Sequence, residues 1–178
     1  MAHFKIIVLL TLGVIFIVPL SIIVKHGSIE QVVYGEYAVI NDIKCDKTEH
    51  FNFHYHAHLN IFIKGFSYLV SANIGNNLPD CIYWLHTHDT SGIIHVESPE
   101  NKTFTVGQFF DIWGKKFDNS QILNFTVNKS ENSTLAVHIN GTLVHDIQYR
   151  SIPIKDHEDI VIVYGKPPKD LGAYSFLY

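Results

Sequence analysis

Phe53-His54-Tyr55-His56-Ala57-His58-Leu59-Asn60-Ile61-Phe62-Ile63 alternates with a period of two. Side chains two apart on a strand share a face, so Tyr55, Ala57, Leu59, Ile61 and Ile63 form one apolar row. His54, His56 and His58 form the row behind it. Neighbours in that row stand about 7 Å apart at Cα, which lets two adjacent imidazoles meet on one ion with zinc–nitrogen bonds of about 2.0–2.1 Å. The outer pair, at about 13 Å, meets only if the strand bends. The reading is therefore a half-buried strand with a histidine face.

Working outward, Lys64-Gly65 turns the chain into a partner strand over Phe66 to Ala72. Ile82 to His88 reads as another strand, and Gly92 to Glu97 returns beside it after the short Asp89-Thr90-Ser91 turn. One helix is predicted: Thr105 and Gln108 have capping-box spacing, Val106, Phe109, Phe110 and Trp113 supply its apolar stripe, and Gly114 suits its C-terminal cap. Strands follow at Leu123 to Val127 and Thr134 to Ile139, and Asn140-Gly141 is the strongest hairpin signal, with Thr142 to Ile147 as return strand. Ile152 to Lys155 and Ile160 to Tyr164 read as a last hairpin around Asp156-His157-Glu158-Asp159, with a surface tail from Pro167. The expected fold is mainly β: an antiparallel β-sandwich or barrel with one short helix. No charge run or Pro/Gly-rich linker divides it, so residues 45–178 read as one domain after a stalk or lead-in strand at 26–44.

The chain holds 12 histidines, and His50, His54, His56, His58, His86, His88 and His95 fall within one stretch. His86 and His88 again share a strand face, and the turn brings His95 and Glu97 back beside them if the two strands pair. Two His-x-His pairs on separate strands are a natural way for a β-protein to close a metal site. The candidate ligands are a subset of His54, His56, His58, His86, His88 and His95, with Glu97 or Asp89 as ligand or as a partner that orients the rings. A single strand histidine is more often an ordinary polar position, and three alternating ones also describe a solvated face. A second pair and His95 nearby weigh against that reading. His50, His138, His145 and His157 lack partners at ligand spacing. Imidazole suits zinc, copper, iron and nickel alike, so ligand type does not choose between them; a zinc or non-blue copper site is the reading kept. A blue-copper site is disfavoured because Met1 is the only methionine and no axial Met follows Cys81 and His86.

Three functions compete on this basis. The first is a module that binds or presents zinc or copper. The second is a metalloenzyme with three histidines, an open water position and Glu97 or Asp89 as general base. The third is a structural surface domain with solvated histidines. Gly-x-Ser-x-Gly is absent. With 13 Lys+Arg, a formal net charge of -4 and no basic stripe, nucleic-acid binding is discounted.

Ile6 to Val24 is an uncharged run of nineteen residues, about 28 Å of helix, so residues 1–25 read as a transmembrane anchor that meets the lipid bilayer through 6–24. No small-residue cleavage site ends it. The sequons beginning at Asn101, Asn124, Asn128, Asn132 and Asn140 suggest an extracytoplasmic, glycosylated body. Cys45 and Cys81 are the only cysteines and read as a disulfide, with a Cys81 metal thiolate as the alternative.

His54-Tyr-His-Ala-His-Leu, Cys81-Ile-Tyr-Trp-Leu-His-Thr-His-Asp-Thr-Ser-Gly-Ile-Ile-His-Val-Glu-Ser-Pro, Phe104-Thr-Val-Gly-Gln-Phe-Phe-Asp-Ile-Trp-Gly and Asp156-His-Glu-Asp-Ile-Val-Ile-Val-Tyr-Gly carry a resemblance. They resemble an uncharacterised family of prokaryotic, often archaeal, exported or membrane-anchored proteins over about residues 43–176. The likeness implies a shared domain and no activity. More locally, Tyr83-Trp-Leu-His-Thr-His88 is similar to the Trp-Tyr-His-Ser-His segment of multicopper oxidases, whose histidines bind copper. One domain of this size cannot house their full copper set. A cupin fits worse, since no Glu stands at that motif's interval after His88.

Overall fold

The computed structural model of the chain describes residues 37–128, 130 and 133–176. Its strands are β1 Cys45–Asp46, β2 Phe53–Ile63, β3 Phe66–Tyr68, β4 Asn76–Asn77, β5 Cys81–Tyr83, β6 Leu85–His86, β7 Ile93–Ser98 and β8 Phe104–Thr105. Helix α1, Val106–Trp113, follows, then β9 Phe117–Asp118, β10 Gln121–Ile122, β11 Phe125–Thr126, β12 Leu135–Ile139 and β13 Thr142–Leu143. A 3-10 turn at Tyr149–Ser151, β14 Pro153–Ile154 and β15 Asp159–Tyr164 complete the order.

The β2 alternation holds along its whole length. Ala57, Leu59 and Ile61 are buried in the main core, with Tyr55 and Ile63 packed against it. Phe62 lies in a second, smaller cluster with Val161 and Val163 that Leu171 of the tail helps to cover. The first half of β2 pairs antiparallel with β7, its last three residues with β3, and His58 to Ile63 pair in parallel with β15. The main sheet runs β13-β12-β15-β2-β7-β6, with β3 beside β2. Three small sheets, β1-β5-β4, β11-β10-β9 and β14-β8, complete the architecture.

Among the described residues the structure has the mainly β class with one short α-helix. The large sheet does not close into a barrel. It is also not purely antiparallel, because the expected hairpin of Ile152–Lys155 with Ile160–Tyr164 does not form. β14 pairs instead with β8, and β15 inserts between β12 and β2. The cause is visible in Asp159-Ile-Val-Ile-Val-Tyr164, which is buried at every residue. A strand apolar on both faces belongs in the middle of a sheet with cover on each side. The expected strand at Ile82 to His88 is split: β5 joins β1 and β4, whereas β6 joins β7. The change of partner falls at Trp84, whose N–H donates to Lys44 O and whose carbonyl accepts from Glu97 N. The strands expected over Phe66 to Ala72 and Thr142 to Ile147 are shorter, ending at Tyr68 and Leu143.

Two local readings are met closely. Helix α1 has the Thr105–Gln108 capping box, and Gly114 closes it in the left-handed region at φ 66°. The β12–β13 hairpin turns on Asn140 and Gly141, both with positive φ, as a type I′ turn requires. Of residues 26–44 only 37–44 are described, and there Ile40 and Ile43 form an isolated bridge. Residues 6–24 lie outside the described residues. Among those described, no helix is long and apolar enough to cross a membrane.

Candidate metal centre

Sheet register assembles the site. β7 lies between β2 and β6, and pairs His54 with Glu97, His56 with His95 and His86 with His95. Directly opposed residues point to the same face, so three strands bring His54, His56, His86, His95 and Glu97 together. His88 joins them just beyond β6, with its Nε2 3.3 Å from His86 Nε2.

The donor atoms converge in two overlapping sets. Those of His86, His88, His95 and Glu97 all lie within 4.8 Å of one another, and so do those of His54, His56 and His95. His56 Nε2 stands 3.1 Å from His54 Nε2 and 3.1 Å from His95 Nδ1. Two nitrogens on one tetrahedral ion with bonds of about 2.0–2.1 Å are roughly 3.3–3.4 Å apart. The imidazole pairs thus already have nearly the spacing of a coordination edge.

His86 is fully buried, and its Nδ1 donates to the Tyr83 carbonyl at 2.9 Å. That bond leaves the lone pair on Nε2, the nitrogen facing His88. Burial pushes His86 down to about 4, against the opposing pull of the Glu97 charge and the Tyr83 carbonyl. His56 is also lowered, by burial first and then by the neighbouring His95 and His54. Both shifts favour the neutral, ligating form.

Glu97 is the site's buried acid, only 3% exposed. Burial pushes its carboxyl up, but the hydrogen bond from His95 and the charges of His86 and His54 outweigh this and hold it below the ordinary value. Its Oε1 lies 3.3 Å from His54 Nε2 and 3.6 Å from His95 Nδ1. Its Oε2 is buried with no hydrogen-bond partner. A buried ionised oxygen without a partner is costly, typically about 1–3 kcal/mol or more for a charged group. A cation held between these donors satisfies it, so the residues present fit a metal.

Two residues named from the sequence fall outside the cluster. His58 Nδ1 lies 2.7 Å from Asp159 Oδ1 and its Nε2 lies 3.2 Å from the Ser91 carbonyl. Its ring stacks on Tyr174 with centroids 3.9 Å apart. Both nitrogens face oxygen acceptors, so neither lone pair is directed at the site. Asp89 is exposed and caps its own turn, accepting from Ser91 N at 2.8 Å. Of the histidines set aside, His50 bonds Asp46 at 2.7 Å, and His157 sits exposed in its turn beside Asp156. One carboxylate had no signal in the sequence: Glu49 Oε1 stands 3.7 Å from His88 Nε2. It lies in coil ahead of β2, where no periodicity points to it. Cys45 and Cys81 form a disulfide that ties β1 to β5 at a Cα separation of 5.4 Å, three residues before the strand change at Trp84. No family model, curated protein or solved structure matches this chain.

Proposed function

We propose that this domain is a transition-metal-binding module that captures or presents zinc or copper, held outside the cell membrane by the apolar segment 6–24. The observation that carries the reading is the set His86, His88, His95 and Glu97, four donors within 4.8 Å of one another around a buried carboxylate. Four protein donors complete a tetrahedral shell, which favours binding or presentation over a catalytic ion that keeps a water position. Imidazole and carboxylate suit zinc and copper(II). With both cysteines in the disulfide, no thiolate remains for a softer or blue-copper site.

Calorimetry on chelator-stripped chain tests the reading: tight zinc or copper(II) binding is expected, and heats no larger than dilution would refute it. The location outside is supported by the uncharged run of Ile6 to Val24 and by a disulfide, which persists in oxidising compartments. Protease added to intact cells is expected to remove the domain. A chain that survives intact would place it inside.

A further inference from the structure

The patch has more donors than one ion uses, and their arrangement separates them. We infer that it holds two transition-metal ions side by side, one on His86 and His88 and one on His54 and His56, with the Glu97 carboxylate bridging them and the single lone pair of neutral His95 completing one of the two. This rests on the metal-binding reading above and adds a second ion to it.

The register is the first ground. His56 and His86 flank His95 from the two neighbouring strands. Adjacent strands are about 4.8 Å apart, so the outer strands are separated by roughly 9.6 Å. No set of donors within 4.8 Å of one another contains both His-x-His pairs. The donors accordingly fall into two sets that have His95 in common. Its Nδ1 faces His56 at 3.1 Å, while its ring stacks on His86 with centroids 5.2 Å apart and meets His88 edge-on at 4.3 Å.

The carboxylate is the second ground. Glu97 is grouped with His86, His88 and His95, yet its Oε1 lies against His54 at 3.3 Å. Its other oxygen has no partner. A carboxylate between two ions uses one oxygen on each, which accounts for a group with contacts toward both sets. Hydrogen bonding among the rings does not account for the geometry as well. His56 Nε2 has two nitrogen neighbours at 3.1 Å, whereas a neutral ring nitrogen either donates one bond or accepts one.

The test is titration of the full chain, chelator-stripped in detergent, with copper(II), read by metal analysis and electron paramagnetic resonance. Two ions per chain are expected. The first gives an isolated copper(II) signal, and the second lowers the total intensity and adds a half-field transition, because ions sharing a carboxylate at about 3.5–4 Å couple magnetically. His54→Ala with His56→Ala removes donors from the rim of the sheet and is expected to leave one ion with a full, uncoupled signal. Glu97→Gln keeps size and shape and is expected to abolish the coupling. One ion per chain, unchanged by His54→Ala/His56→Ala, would overturn the pair and leave the single site standing. Two ions with full uncoupled intensity would overturn the shared carboxylate. No ion at all would overturn both readings.

Discussion

His54 and His56 occupy one end of β2, and His58 lies two residues further along the same face. The first two reach toward β7, where their nitrogens face His95 and Glu97 at 3.1 to 3.3 Å. His58 meets a different neighbour, because β15 joins β2 from His58 onward and brings Asp159 alongside. There the Asp159 carboxylate, the Ser91 carbonyl and the Tyr174 ring enclose it, and it is only 8% exposed. Gly92 allows the approach on that side, since a Cβ there would stand 2.4 Å from the Leu59 carbonyl. The same residue type on the same face thus serves two purposes. What decides is whether the facing strand supplies further imidazole nitrogens or oxygens that engage both sides of the ring.

The largest effect that would break this contrast is on metal affinity. His86→Ala with His88→Ala is expected to weaken binding by on the order of 100-fold or more, since even partners behind a ligand are worth 10- to 100-fold. Calorimetry on the double variant checks it, and wild-type affinity would return the patch to a solvated face. His58→Ala should behave oppositely. It leaves metal affinity unchanged and lowers unfolding stability by about 2 kcal/mol, because the buried Asp159 loses its 2.7 Å partner. Denaturant unfolding with a parallel metal titration separates the two; lost affinity with intact stability would place His58 among the ligands.

A smaller effect sharpens the same line. Imidazole ligates only when neutral, so affinity falls as pH drops below about 6.5, by on the order of tenfold per unit for each proton displaced. His86, already lowered to about 4, and Glu97, held below its ordinary value, keep their ligating forms through the upper part of that window. A titration at pH 7.5 and 5.5 checks the sign, and a flat profile would argue against histidine ligands. Last, His138→Ala with His145→Ala is expected to change affinity not at all, since neither belongs to a donor set.

Much of this was legible before any fold. The β2 period, the α1 capping box and the Asn140-Gly141 turn are local features, and each formed as read because its cause lies within a few residues. The candidate ligands His54, His56, His86, His88, His95 and Glu97 were also visible, as alternation places pairs on a face. Less legible was the path of β15. An apolar run looks the same as a hairpin arm or as a central strand, and only its burial on both faces separates the two.

By itself, then, the sequence determined a mainly β domain, its one helix and a set of histidines spaced for metal. Tertiary structure decided which of them meet. Alternation specifies a face but not the strand across from it, so only pairing with β7 and β6 gathers five imidazoles around Glu97. Pairing with β15 takes His58 away, and Glu49 arrives from coil that carries no period at all. The reason is physical: ligands must converge within a few ångströms, and across strands that distance is set by register rather than by spacing along the chain.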